Sequence, residues 1–158
     1  MVGKLTSQNF LASFMFIGEY SHSIDPKKRL AVPSKFRSEL KNKVVVTRGL
    51  DKCLFIYPMK VWEKLADKLG TLPVGESGTR SFVRTMLAGA TDVDVDKQGR
   101  VLIPDYLKVY AGLKKEVVIA GLYNRLEIWD ERKWKEYKKG AEKNTDEIAE
   151  QLGKLGVY

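Results

Sequence analysis

Apolar and polar positions along this chain follow two periods. Phe16 to Ile24 alternates loosely, with Phe16, Gly18, Tyr20, His22 and Ile24 set against Ile17, Glu19, Ser21 and Ser23, which predicts a strand. Pro33 to Leu40 predicts a short helix with Phe36 and Leu40 inward and Ser34, Lys35 and Arg37 outward. Val44-Val45-Val46-Thr47 is β-branched throughout and predicts a strand; Gly49 to Lys52 turns the chain, and Cys53 to Tyr57 returns. After Pro58, the positions Val61, Trp62, Leu65, Ala66 and Leu69 mark one face of an amphipathic helix that stops at Gly70. Thr71 to Gly78 reads as a linker, and Thr79 as the cap of a helix with Phe82, Val83, Met86 and Leu87 inward.

The same order then returns: a strand, a loop at Asp96, a strand to Ile103, a short helix from Asp105 to Tyr110, and a turn at Gly112. A strand from Glu116 to Ala120, a turn at Gly121 and a strand from Leu126 to Trp129 follow. Asp130 is placed to cap a basic helix with Trp134 and Tyr137 inward. From Thr145, the residues Ile148, Leu152 and Leu155 predict a further short helix suited to packing or partner contact.

The recurrence is a repeat. Ile24-Asp25-Pro26-Lys27-Lys28-Arg29-Leu30-Ala31-Val32-Pro33 is echoed by Val95-Asp96-Lys97-Gln98-Gly99-Arg100-Val101-Leu102-Ile103-Pro104, with Asp25/Asp96, Arg29/Arg100 and Pro33/Pro104 all 71 residues apart. Gly49-Leu50 and Gly121-Leu122, and Trp62 and Trp134, continue it at an offset of 72. Two copies are too few for a solenoid, so a pseudo-symmetric body is expected. Asp followed by Pro26 favours a type I turn, and Gly99 at the fourth position suits that turn followed by a bulge, so both copies predict β-hairpins. The expected division is residues 1–14 as a mobile extension, 15–70 as the first repeat, 71–88 as linker and helix, 89–140 as the second repeat, and 141–158 as a helical tail.

Charge sharpens the picture. The chain of 158 residues carries a formal charge of +8. Between Pro26 and Arg48 stand eight basic residues (Lys27, Lys28, Arg29, Lys35, Arg37, Lys41, Lys43 and Arg48) against Glu39 alone. A positive run on and beside a hairpin loop suits a polyanion such as nucleic acid. One cysteine excludes an intrachain disulfide and suits a reducing compartment. No apolar run reaches the roughly 18–20 residues of a membrane span, so a cytoplasmic protein is expected.

Catalytic chemistry is hard to assemble from this inventory. His22 stands alone between two serines, and one His with one Cys cannot complete a zinc site. Cys53 lies in an apolar strand, where an inert thiol is the default. Asp92, Asp94 and Asp96 share a strand face but lack the further ligands of a calcium loop. No enzyme, metal or cofactor is expected. The Asp-x-x-x-Arg loops remain, with two readings open. The Arg simply braces the hairpin, or the Asp fixes a guanidinium fork that contacts phosphate or guanine.

Met15 to Tyr20, Asp25 to Pro33, Gly49-Leu50-Asp51, Cys53-Leu54, Tyr57-Pro58, Trp62, Asp96 to Pro104, Ala111-Gly112-Leu113, Glu127 to Asp130 and Trp134 together closely resemble the MraZ family. The resemblance runs from Met15 into the 140s. It implies an α+β, mainly β fold: two hairpin units on one chain forming a swapped-hairpin β-barrel of AbrB/MazE (double-psi-like) type with flanking amphipathic helices. It further implies a nucleoid-associated transcriptional regulator of the division and cell-wall gene cluster. Such a regulator forms a homo-oligomeric ring, binds short tandem promoter repeats in double-stranded DNA and represses its own cluster. The family's DNA-binding motif maps onto Asp25 and Arg29 and onto Asp96 and Arg100, with Lys27, Lys28 and Lys97 beside them as expected phosphate contacts. Where the family has Gly before the first Arg, this chain has Lys28, so the first loop is free to turn differently. The competing expectation is an oligomeric scaffold whose basic face binds an acidic protein. RNA binding is disfavoured by the scarcity of aromatics near the basic segment.

Overall fold

The computed structural model describes residues 15–157. The extension expected over residues 1–14 lies outside the described residues. Among the described residues, eight strands are arranged as a six-stranded sheet and a two-stranded ribbon. The strands are β1 (Phe16–Ser23), β2 (Arg29–Ala31), β3 (Lys43–Arg48), β4 (Leu54–Pro58), β5 (Thr91–Asp94), β6 (Arg100–Leu102), β7 (Glu116–Tyr123) and β8 (Leu126–Asp130). The sheet order is β1-β7-β8-β4-β3-β5, and β2 pairs with β6.

The two repeats interleave. Each contributes its own hairpin (β3–β4 and β7–β8), but the first strand of each repeat pairs with the third strand of the other, β1 on β7 and β5 on β3. This exchange is the swapped-hairpin arrangement. The six-stranded ladder does not close on itself. The ribbon instead spans its two edges through single bridges, Ile24 to Leu30 and Val95 to Val101.

Why the sheet is so heavily buried follows from its layers. Val44, Val46, Leu54, Ile56, Val117, Ile119, Leu126 and Ile128 face inward onto Leu30, Val32, Val101 and Ile103 beneath the ribbon. The alternate residues Phe55, Tyr57 and Trp129 face outward, yet they too are covered, by helices. Both faces of β4 and β8 are therefore dry, and neither strand shows polar alternation. Glu127, on β8, is buried but satisfied: it accepts from Trp129 Nε1 at 3.1 Å and from Arg125 Nη2 at 2.9 Å. Phe16 and Phe36 meet edge to face at 5.2 Å, fastening helix α1 (Ser34–Leu40) under β1.

Helices α2 (Met59–Gly70), α3 (Ser77–Val83), α4 (Asp105–Ala111) and α5 (Glu131–Lys154) complete the described chain. Three expectations are corrected. The helix expected to start at Thr79 begins at Ser77 and changes at Arg84–Ala88 into a π-helical turn. Met86 points inward there, whereas Phe82, one turn earlier, is exposed. The buried Thr47 hydroxyl donates to the Met86 carbonyl at 2.7 Å. Gly121 is not a turn: β7 runs through it to Tyr123, and the chain reverses at Asn124. A Cβ at Gly121 would lie 2.6 Å from the Ile17 backbone nitrogen, so glycine is required by the close approach of β1. Finally, the helix capped by Asp130 and the tail helix are one, α5, which passes through Gly140 without a break. Asp130 caps it as expected, accepting from the Lys133 backbone N–H at 3.3 Å.

Candidate nucleic-acid interface

Both repeated loops fold into the same braced turn. In the first, the Lys28 N–H donates to the Asp25 carbonyl at 2.9 Å and the Asp25 N–H to the Arg29 carbonyl at 2.9 Å. In the second, Gly99 donates to Asp96 at 2.9 Å and Asp96 to Arg100 at 3.0 Å. Lys28 takes φ 65° and Gly99 φ 76°, so the lysine adopts the left-handed conformation that glycine takes in the other copy. The substitution therefore leaves the turn type unchanged. Lys28 compensates with a contact glycine lacks: its ammonium reaches Asp105 Oδ2 at 2.7 Å, across the repeat boundary.

Each aspartate works as a clamp. Asp25 Oδ1 accepts from the backbone N–H groups of Lys27 and Arg29, both at 2.9 Å, while Oδ2 accepts from Arg29 Nε at 2.7 Å. Asp96 repeats this with Gln98, Arg100 and Arg100 Nε, the last at 2.8 Å. The brace and the fork are thus the same object. Nε is occupied, the guanidinium plane is fixed, and among the described residues neither arginine's Nη groups meet an acceptor.

The ribbon decides where these forks lie. Leu30 opposes Val101 at its centre, both fully buried, so alternation sends residues 29, 31, 100 and 102 to the outer face. Arg29 opposes Leu102 and Arg100 opposes Ala31, which places the two arginines diagonally, roughly 7–8 Å apart, on one surface. Their side chains are 31% and 27% exposed, neither buried in the core nor free to swing. Lys27, Lys28 and Lys97 are exposed on the loops at the two ends of the ribbon.

The rest of the basic run is not one patch. Lys43 pairs with Asp92 at 3.2 Å, and Arg48 packs over the Tyr110 ring at 5.7 Å. Arg37 is the residue that sequence spacing missed: its Nε donates to the Val32 carbonyl at 3.0 Å, and a Cβ at Gly99 would collide with it. It sits on the second loop although it belongs to the first repeat. Only strand exchange could reveal that. Of the remaining candidates, Asp92 and Asp94 flank Lys43, and Cys53 is a buried thiol whose pKa burial raises.

Hydrogen bonds to the Arg29 N–H and guanidinium hold the Asp25 carboxyl below its ordinary value of 3.8, and Asp96 is lowered in the same way by Arg100. A depressed carboxyl stabilises the folded state above its unfolded pKa and loses that contribution as pH falls through the folded one. Both braces are therefore expected to be intact at neutral pH and to open only below about pH 4. A carboxyl-detected NMR titration should place both midpoints under 3.8. A midpoint at or above it would contradict the clamp.

Residues 15–85 and 86–154 each match the family model described as "MraZ protein, putative antitoxin-like". The chain belongs to the MraZ family. Among its relatives, the Transcriptional regulator MraZ of Halothermothrix orenii is 52% identical over 143 residues, covering 90% of this chain and all of that protein. Those of Clostridium beijerinckii and Acetivibrio thermocellus, under the same name, are 51% and 48% identical with the same coverage. These MraZ relatives are named as regulators of transcription and not as enzymes. Among the described residues no helix is long and apolar enough to cross a membrane.

Proposed function

We propose that this protein is a sequence-specific, double-stranded-DNA-binding transcriptional regulator of cytoplasm and nucleoid, and that the outer face of the β2–β6 ribbon is its reading head. The observation that carries this is the pair of carboxylate-clamped arginines side by side on one face. A two-stranded antiparallel ribbon fits the major groove. The two arginines leave the ribbon at diagonal positions, and each fork leans toward its own aspartate at one end, so the pair is spread along the face that would enter the groove. A guanidinium whose Nε is held keeps two Nη donors for guanine O6 and N7 or for phosphate. Lys27 and Lys97, exposed at the two ends of the ribbon, would meet flanking phosphates, and Lys28 would do so by exchanging its Asp105 ion pair for one.

One ribbon reads few base pairs, so a single copy binds weakly. A ring of copies on promoter repeats spaced near one helical turn of ~10 bp makes each later contact intramolecular, gaining roughly 10²–10⁴ in avidity. The genes controlled would be the division and cell-wall cluster that the family resemblance implies, with repression as the expected sign.

The test is a titration at two salt concentrations against a tandem-repeat duplex, a scrambled duplex and single strand. The repeat duplex should bind tightest, and Lys97→Ala should weaken all duplexes alike while flattening the salt slope by about one unit. Equal binding to all three nucleic acids, or binding only to an acidic protein, would refute the reading.

A further inference from the structure

Helix α5 is twice as long as its counterpart. Its first half corresponds to α2 through Trp134 and Trp62, but α2 ends at Gly70, equivalent to Glu142, whereas α5 continues to Lys154. That extra half has no buried residue, and it carries Ile148 and Leu152, followed by Leu155 at the C-cap, at i, i+4 and i+7 and 47%, 37% and 77% exposed. An apolar stripe on a helix normally has a partner. Among the described residues of one copy this one has none. Glu142 and Glu147 flank the stripe, about 100–120° to either side on the helical wheel. The tail is acidic in a basic chain, with Glu142, Asp146, Glu147 and Glu150 against Lys143 and Lys154.

The opposite character appears on the first repeat. Between α2 and the tip of the β7–β8 hairpin lies a groove of about 550 Å³. Its floor is apolar (Tyr57, Val61, Leu65) and its rim is a ridge of Lys60, Lys64 and Lys68, one turn apart along α2. None of these three lysines forms an ion pair among the described residues. The second repeat offers no such lysine ridge, because Glu136 and Gly140 stand where Lys64 and Lys68 do.

We infer that the C-terminal half of α5 docks in the Lys60–Lys68 groove of a second copy of this chain, apolar stripe to apolar floor and glutamates to lysines. The inference rests on the oligomeric reading above and names the contact that builds it. A tail on one repeat entering a groove on the other is a head-to-tail contact, the kind that yields rings when its rotation closes. It also explains why two similar repeats diverge in these places: each copy needs one donor end and one acceptor end.

The test uses two full-length double variants, Lys60→Glu with Lys64→Glu and Glu142→Lys with Glu147→Lys, with mass measured by sedimentation velocity. All four sites are exposed, and melting curves check that folding persists. Each variant alone should fall from the wild-type assembly to monomer mass, since its groove and tail now carry like charges. Mixed one to one they should reassemble, because every neighbouring pair is again complementary. Failure of the mixture to reassemble overturns the contact, as does wild-type mass in either variant. Loss confined to the groove variant assigns the groove to some other anion and also overturns it. A monomeric wild type overturns contact and ring together but leaves the ribbon's own DNA binding to be judged by its arginines.

Discussion

Replacing Arg29 and Arg100 together by alanine is expected to lower affinity for the tandem-repeat duplex by roughly 30-fold to 10⁴-fold per engaged ribbon, from about 1–3 kcal/mol for each lost base contact. Discrimination against scrambled duplex should shrink with it, since the proposed contacts of the remaining lysines to phosphate would carry no sequence information. The fold should survive. Both guanidinium groups lie on the outer face, and exposed ion pairs contribute little to stability. The aspartates keep their backbone bonds to Lys27, Arg29, Gln98 and Arg100, which hold the turn without the side-chain brace. Fluorescence anisotropy with the two duplexes, beside a melting curve, checks both halves of the expectation. Unchanged affinity in the double variant would remove the ribbon from the mechanism.

One position along the strand, the expected result inverts. Leu30→Ala should cost about 2–5 kcal/mol of stability, a Tm drop of roughly 4–20 °C, while the folded fraction binds duplex much as before. Leu30 is fully buried opposite Val101, at the point where the ribbon bridges back to Ile24. Its removal leaves a cavity between ribbon and sheet with little room to collapse, because β3, β4, β7 and β8 beneath it are each paired on both sides. Thermal unfolding followed by circular dichroism, with titrations well below the melt, measures the split. A loss of binding without a fall in Tm would mean that the inward and outward faces have been assigned the wrong way round.

Adjacent residues with opposite consequences also show which parts of the molecule the sequence carries openly. The hairpins were legible because a turn is local chemistry: Asp accepts nearby N–H groups, and the fourth position needs a positive φ. The helix faces at Phe36 and Leu40, and the cap at Asp130, followed from spacing alone for the same reason. Local rules failed where packing overrode them. Nothing in Arg84–Ala88 announces a π-helical turn, and Gly121 looks like a turn residue when what it serves is the backbone of β1 passing alongside. Gly140 looks like a helix end, yet α5 runs through it.

The sequence by itself determined that two copies of a braced loop exist, that each holds an arginine against an aspartate, and that positive charge gathers around the first. Only the tertiary structure decided that the two arginines share a surface. They are 71 residues apart, and neither hairpin encodes the other's position. They meet because burying Leu30 and Val101 face to face forces β2 onto β6, and strand alternation then turns both guanidinium groups the same way, outward.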